Sequence, residues 1–320
     1  MLKASYKIIE KLLPHLQRDV FLADHTTFKI GGKAKYFLIV RNKEELITAV
    51  LVAKKYHLPL LILGGGSNLL ISENGWKGLA IKNQINKFQY SGENIIYGEA
   101  GVLLSKTVKV SADNSLTGFE WAAGIPGTLG GAVVGNAGAF GSSMESVVKS
   151  VEAFDIKKGE IVNFNQKECL FSYRSSIFKK NKNLVILSCE LQLKKGDNDE
   201  IKEKIQSHLA YRHARHPKEP SAGSIFKNVA LAELEKDFFS RFPEVKSIVK
   251  EGKIPVAYLI DQAGLKGKTV GGVKVSEIHP NFIINIGKAK SKDIKELIKL
   301  IKKAIKEKFS VQIKEEIIFL

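Results

Sequence analysis

Two glycine-rich segments carry the residue types best suited to holding a ligand. "LGGGSNLL" places Gly64, Gly65, Gly66, Ser67, Asn68 and Leu69 directly after an aliphatic run. "GIPGTLGGAVVGNAGAFG", residues 124–141, carries seven glycines and a helix-starting Pro126. Glycine lets another backbone or a ligand come close, at an entropic cost of roughly 0.5–1 kcal/mol relative to alanine. Backbone N–H groups at a helix start attract phosphate through hydrogen bonds and the helix dipole. Each segment alone reads equally well as a tight turn. Together, with the short polar side chains of Ser67, Asn68 and Asn136, they point to the two ends of a diphosphate cofactor. Two familiar motifs are excluded: Leu69 occupies the last glycine position of G-x-G-x-x-G, and Gln262 stands where a P-loop ending in "GKT" needs its first glycine.

The remaining reactive side chains narrow the chemistry. Cys169 and Cys189 lack metal-ligand or C-x-x-C spacing and read as reduced thiols. His213 and His216 lie three apart on a predicted helix, but no HExxH pattern or acidic partner accompanies them, so no metal is expected. Ser224 in "SAGSIFKN" has neither a G-x-S-x-G elbow nor an adjacent histidine, which disfavours a nucleophilic role. Arg174 in "SYRSSIF" is one of six arginines in a lysine-dominated chain. A guanidinium stays charged and grips a carboxylate with two hydrogen bonds.

The elements that must position these residues follow from periodicity. Asn42 with Glu45 opens a helix (Leu46, Ala49, Val50, Ala53) running to about His57, and Leu60–Leu63 follows as a buried strand. Short strands dominate from 78 to 195, interrupted by helical patterns at 103–114, after Pro126 and near 166–171. A charged helix spans 197–216, and "HPKEPSAG" forms a linker or sharp loop. Beyond it lie a mixed α/β unit, a lysine-rich helix over 288–308 with Ile294, Leu297, Ile298, Ile301, Ala304 and Ile305 on one face, and a strand-like tail. With 320 residues, 44% of them hydrophobic, two or three domains are expected. The N-terminal "MLKASYKIIEKLLPHLQRD" reads as an amphipathic helix rather than a signal peptide, and no run approaches the ~20 apolar residues of a membrane span. A cytoplasmic protein without a membrane partner is expected. The net charge of +17 is nearly all lysine, which argues for a solvated face and a general attraction for small anions over nucleic acid.

"LGGGSNLL", "GIPGTLGGAVVGNAGAFG", "SYRSSIF", "PSAGSIFKN" and "LIDQAGLKG…GGVKVSEIHPNFIIN" occur here in the order found in the UDP-N-acetylenolpyruvoylglucosamine reductase family, which the chain resembles over residues 24–320. The resemblance implies an α+β fold. A vanillyl-alcohol-oxidase-type (PCMH-type) FAD-binding domain of two α+β subdomains (1–78 with the tail 309–320, and 79–200) would precede a C-terminal α/β substrate-binding domain (201–308). It implies non-covalent FAD and NADPH as co-substrate. The small-molecule substrate would be UDP-N-acetylglucosamine enolpyruvate, reduced to UDP-N-acetylmuramate for peptidoglycan, and the enzyme would be a monomer.

Site residues carried over from the resemblance are Gly64, Gly65, Gly66, Ser67, Asn68, Leu69, Gly124, Ile125, Pro126, Gly127, Thr128, Gly130, Gly131, Asn136, Ala137 and Gly138 for the cofactor, and Tyr173, Lys227 and Asn228 for the substrate. Arg174, Ser224 and Glu316 would be catalytic. Hydride addition to the enolpyruvyl methylene leaves carbanion character beside a carboxylate, so fixed positive charge and a proton donor are required. Arg174 would stabilise the enolate and Ser224 would give the proton. Glu316 would have to hold its proton near neutral pH, which burial or hydrogen bonding favours. The family's Pro before this glutamate is Glu315 here, so Glu315 competes for the assignment. Only "KKNKN" follows "SSIF", as in the shorter subtype without an inserted tyrosine loop. The alternatives are another FAD-dependent oxidoreductase on the same fold, or a basic nucleotide- or nucleic-acid-binding protein without flavin.

Overall fold

Strand Leu60–Leu63 runs parallel to Trp76–Asn83, whose other edge pairs in parallel with Lys33–Val40; Gln17–Phe21 completes a four-stranded sheet. Parallel strands require a crossover, and helix Lys43–Lys55 begins the one between Lys33–Val40 and Leu60–Leu63. Its start is fixed reciprocally. Asn42 Oδ1 accepts from the Glu45 N–H at 2.8 Å, and the Glu45 carboxylate accepts from the Arg41 N–H at 2.8 Å. The expected stripe of Leu46, Ala49, Val50 and Ala53 is buried in a core shared with Val40, Leu79 and Ile81.

Residues 6–320 are described by this computed structural model. Tyr6–Leu12 is helical, and the first five residues of the expected N-terminal helix lie outside the described residues.

A five-stranded antiparallel sheet follows, in the order Glu160–Asn165, Val148–Asp155, Leu184–Gln192, Ile95–Glu99, Phe88–Tyr90. The "KKGE" turn closes its first hairpin: the Asp155 carboxylate accepts from the N–H groups of Lys157 and Lys158, and Gly159 takes φ +78°. An ion pair from Lys43 to Glu152 ties helix Lys43–Lys55 to this sheet. Helices Leu104–Asp113 and Leu129–Gly135 match expected segments. The helix expected near 166–171 is instead a single turn. The Asn165 side chain accepts from the Lys167 and Glu168 N–H groups, and Leu170 at φ +46° stops propagation.

The chain gathers into two compact units that do not follow chain order. One takes in residues up to Val20, Ala34–Gly65 and Trp76–Arg212; the other takes in Phe21–Lys33, Gly66–Gly75 and His213–Leu320. The boundary falls inside the first glycine segment, between Gly65 and Gly66. In the second unit an antiparallel sheet (Thr269–Val270, Val273–Val275, Ile283–Asn285) and the lysine-rich helix Ser291–Phe309 surround a core containing Ile225, Phe226, Leu259, Ile294, Leu297 and Ile301. Each fully buried aliphatic side chain of that helix stabilises the unit by roughly 1.5–3 kcal/mol. The "HPKEPSAG" loop is pinned rather than free: the Thr27 hydroxyl donates to Ser221 O at 2.7 Å, and the Asn285 N–H donates to Pro220 O at 2.9 Å. The tail strand Ile318–Phe319 lies parallel to Leu69–Leu70. Among the described residues no helix is long and apolar enough to cross a membrane.

Candidate active site

The glycines after strand Leu60–Leu63 are required by close approach of other backbone. In the first unit a Cβ on Gly65 would lie 2.8 Å from Gly127 Cα, and one on Gly64 would lie 2.5 Å from Thr128 Oγ1. The two glycine-rich segments therefore abut. In the second unit Gly66 takes φ +67°, and a Cβ there would lie 2.1 Å from His25 O, while its own carbonyl accepts from the Thr27 N–H at 3.2 Å. Contacts under 3 Å with backbone cannot be relieved by rotating a side chain, so only glycine serves at Gly65 and Gly66.

These segments fit a diphosphate, though with different donors than a helix start alone would supply. The N–H groups of Leu129 and Gly130 are committed to Val102 O (2.8 Å) and Ala100 O (2.9 Å), and that of Gly131 reaches the capping Thr128 Oγ1 at 3.4 Å. Among the described residues no protein acceptor pairs with the N–H of Gly127 or of Thr128, and Thr128 is buried. Buried N–H groups are nearly always satisfied, so that of Thr128, with the half-buried Gly127 N–H beside it, suits an anionic oxygen. Lys82, at the carboxyl end of its parallel strand, donates to Gly64 O at 2.6 Å and brings a cation to the same loop.

Asn136 closes helix Leu129–Gly135 in the left-handed conformation (φ 42°, ψ 58°). Its side chain is committed to protein: Oδ1 accepts from the Glu145 N–H at 3.0 Å, and Nδ2 donates to Ser172 O at 3.0 Å. It positions the loop, leaving its neighbours Ala137 and Gly138 half-buried beside it. Gly124, Ile125 and Pro126 precede Gly127, and Ile125 N–H donates to Ala122 O.

Asn136 also sets the arginine. Ser172 and Ser175 exchange backbone hydrogen bonds at 3.0 Å, making Tyr173-Arg174 the tip of a two-residue turn. Ser176, fully buried, donates from its hydroxyl to Val134 O at 2.8 Å and caps the next helix. Arg174 sits at φ +55°, a conformation uncommon for non-glycine residues and one that clusters at functional sites. Its guanidinium lies 5.2 Å from the Tyr173 ring centroid and donates to Gly138 O at 2.9 Å. The first unit thus brings Arg174, Tyr173 and the second glycine segment together.

The second unit brings together Ser224, Lys227 and Glu316. Ser224 bridges Phe282, and Asn281 clamps the next two residues: its backbone carbonyl accepts from the Ile225 N–H at 2.8 Å, and its side chain accepts from the Phe226 N–H at 3.0 Å and donates to Phe226 O at 2.8 Å. On the other edge the Glu316 N–H donates to Ile225 O at 2.7 Å, and the Lys227 N–H donates to Lys314 O at 2.9 Å. Ser224 and Glu316 therefore lie on adjacent extended segments. Glu315 pairs with Lys302 at 2.9 Å, and because successive side chains alternate along an extended chain, Glu316 faces away from that pair. Asn68 Nδ2 donates to Glu316 O at 3.2 Å, and Ile318 N–H donates to Asn68 O at 3.0 Å. Leu69 pairs with Ile318, and Ser67 precedes this tie half-buried. Asn228 Oδ1 accepts from the Val256 N–H at 3.2 Å and fixes the start of helix Val256–Gln262.

Arg212, Lys82 and His279 lie outside the set expected from the sequence. Arg212 donates to Ala123 O (2.8 Å) and Trp121 O (3.2 Å), and its Cδ lies 2.8 Å from where a Gly124 Cβ would stand. Burial lowers its pKa. Lys82 is the second. His279 is the third: its Nδ1 is buried without a hydrogen-bond partner among the described residues. Its ring packs on Phe282 (4.8 Å between centroids) and His216 (5.8 Å). Burial is the main cause that lowers its pKa, and the Arg215 charge adds to it. Their shared signal was polar residue type beside a motif, too weak alone.

Comparison with known proteins fits this arrangement. Residues 34–165 match the FAD binding domain family, and 215–320 match the UDP-N-acetylenolpyruvoylglucosamine reductase, C-terminal domain. The chain is 40% identical to the UDP-N-acetylenolpyruvoylglucosamine reductase of Alkaliphilus oremlandii over 98% of this chain and 96% of that one. It is 42% identical to the enzyme of that name from Caldanaerobacter subterraneus, over 92% and 89%. The crystal structure of the Thermus caldophilus reductase superposes with a TM-score of 0.76 at 30% identity, covering 95% of this chain and 98% of the other.

Proposed function

Because this chain belongs to the UDP-N-acetylenolpyruvoylglucosamine reductase family, we propose that its own residues divide the work as follows. The protein is an FAD-dependent oxidoreductase of peptidoglycan synthesis that reduces the enolpyruvyl group of UDP-N-acetylglucosamine enolpyruvate. When bound, FAD supplies the hydride, and NADPH replenishes it.

Gly64, Gly65, Gly127 and Thr128 would hold the cofactor diphosphate through backbone N–H groups, and Lys82 would add positive charge. Arg174 meets the negative charge that develops beside the substrate carboxylate. Its turn is held by Ser172, Ser175 and Asn136 before substrate arrives, so little reorganisation accompanies reaction. Tyr173, Lys227 and Asn228 contact the sugar or diphosphate. Ser224 delivers the proton that completes addition across the double bond. A serine hydroxyl is a weak acid, so its donation relies on the strong basicity of the carbanion and on its neighbours.

Glu316 is the carboxylic acid of the site, and Glu315 is not. The observation that carries this reading is the 2.7 Å hydrogen bond from the Glu316 N–H to Ile225 O, next to Ser224, while Glu315 pairs with Lys302. The overall activity is tested anaerobically: NADPH should bleach the flavin, and UDP-N-acetylglucosamine enolpyruvate should restore its absorbance. Failure to reoxidise the flavin would contradict the reading.

A further inference from the structure

A cleft of about 350 Å³ in the second unit lies between helix Ser291–Phe309 and the C-terminal tail, lined by Lys295, Ile298, Lys299, Lys302, Glu315 and Phe319. None of these residues belongs to the machinery assigned above. Lys295, Lys299 and Lys302 fall on one helix face, spread along about 10 Å of axis at 1.5 Å per residue. Like charges at this spacing repel, and the wall opposite supplies one carboxylate, Glu315, which pairs with Lys302 at 2.9 Å. Among the described residues no carboxylate comes within 4 Å of Lys295 or Lys299. One turn away on the same helix, Lys303 is paired with Glu307. The cleft thus keeps a surplus of two positive charges beside apolar surface, since Phe319 is 38% exposed at its edge and the buried Ile298 forms its floor.

We propose that this cleft binds a nucleoside di- or triphosphate, with the phosphates along the lysine row and the base against Phe319. Lysine binds phosphate as a point charge, without requiring a fixed geometry. An aromatic face gives a flat ring stacking energy that does not depend on base identity. The lysines of this helix would otherwise read as a solvated face, but a solvated face needs no cleft and no aromatic edge.

Occupancy reaches the catalytic tail through Glu315. A phosphate on Lys302 competes with the Glu315 carboxylate, and Glu315 is covalently followed by Glu316, whose N–H holds the Ser224 segment at Ile225 O. The bound nucleotide would therefore loosen the tail and slow turnover. This second step rests on the role proposed for Glu316; the binding step does not.

Titration calorimetry of the FAD-loaded enzyme with ADP and with inorganic pyrophosphate separates the two. ADP should bind more tightly than pyrophosphate. Lys295→Glu/Lys299→Glu should weaken ADP at least tenfold, whereas Lys288→Glu/Lys292→Glu, the same charge change outside the cleft, should weaken it less than threefold. Glu315→Gln, which removes the competitor, should tighten ADP. No ADP binding at millimolar concentration, or equal losses in the two double variants, would overturn the proposal. ADP binding that follows these predictions while leaving turnover unchanged would uphold the site and count against the role of Glu316.

Discussion

Asn68 donates its side-chain amide to the carbonyl of Glu316 at 3.2 Å. A residue of the glycine-rich segment thus holds the backbone of the candidate acid near the end of the chain, 248 residues away. Asn68→Ala removes a hydrogen bond whose net contribution is about 1 kcal/mol. It should lower turnover several-fold while flavin content per protein, read from visible absorbance, stays near wild type. Loss of flavin with unchanged turnover per bound flavin would place Asn68 on the cofactor instead.

Gly65 tests the cradle itself. Its Cβ position lies 2.8 Å from Gly127 Cα, so Gly65→Val must separate the two glycine segments. The purified variant should be colourless, with far-ultraviolet circular dichroism retained. A folded, yellow Gly65→Val protein would mean that the diphosphate is held elsewhere.

Glu315 and Glu316 are separable by parallel substitution. Removing one hydrogen-bond donor from the charge that develops in the transition state costs on the order of 10²–10³-fold, so Glu316→Gln, which loses the acidic O–H, should lower the rate of substrate reduction by about 10²-fold. Glu315→Gln removes a half-exposed ion pair with Lys302, worth at most about 1 kcal/mol, and should leave the rate within a few-fold. The reverse order would transfer the acid role to Glu315.

What the sequence could and could not reveal follows a physical divide. Helix Lys43–Lys55 and the lysine-rich helix were legible because each has a one-sided apolar stripe, and the former a capping residue. The turn at 166–170 was not, because one αL residue, Leu170, decides against a helix that local spacing allows. The motifs point to Arg174 and Ser224 as candidates, but carry no sign that Asn136 and Ser172 set the arginine turn, nor that Asn281 clamps the serine segment. Those ties run between residues 36 to 55 apart in the chain, and composition or periodicity carries no trace of them. Nothing in the local sequence separates Glu315 from Glu316; the observation that favours Glu316 is the pairing of Glu315 with Lys302, a partner on another element.

His279 offers a pH test. Its pKa is lowered by burial, with Arg215 adding to the effect, and its ring faces His216 and Phe282. The folded state therefore binds its proton less readily than the unfolded chain, whose histidine titrates near 6.5. Stability tied to neutral His279 is fully present above that value and is lost as pH falls through it towards the folded pKa. Thermal unfolding between pH 7.5 and 5 should show a decline that is shallower in His279→Asn than in wild type. Parallel declines would show that His279 carries no linkage.

Stopped-flow measurement on Ser224→Ala decides whether Ser224 gives the proton, and gives it in the second half-reaction only. Anaerobic reduction of its flavin by NADPH should proceed within a few-fold of the wild-type rate. Reoxidation by UDP-N-acetylglucosamine enolpyruvate should fall by about 10²-fold or more, the range for loss of a positioned proton donor. Equal loss in both half-reactions, or wild-type reoxidation, would rule out Ser224 as that proton donor.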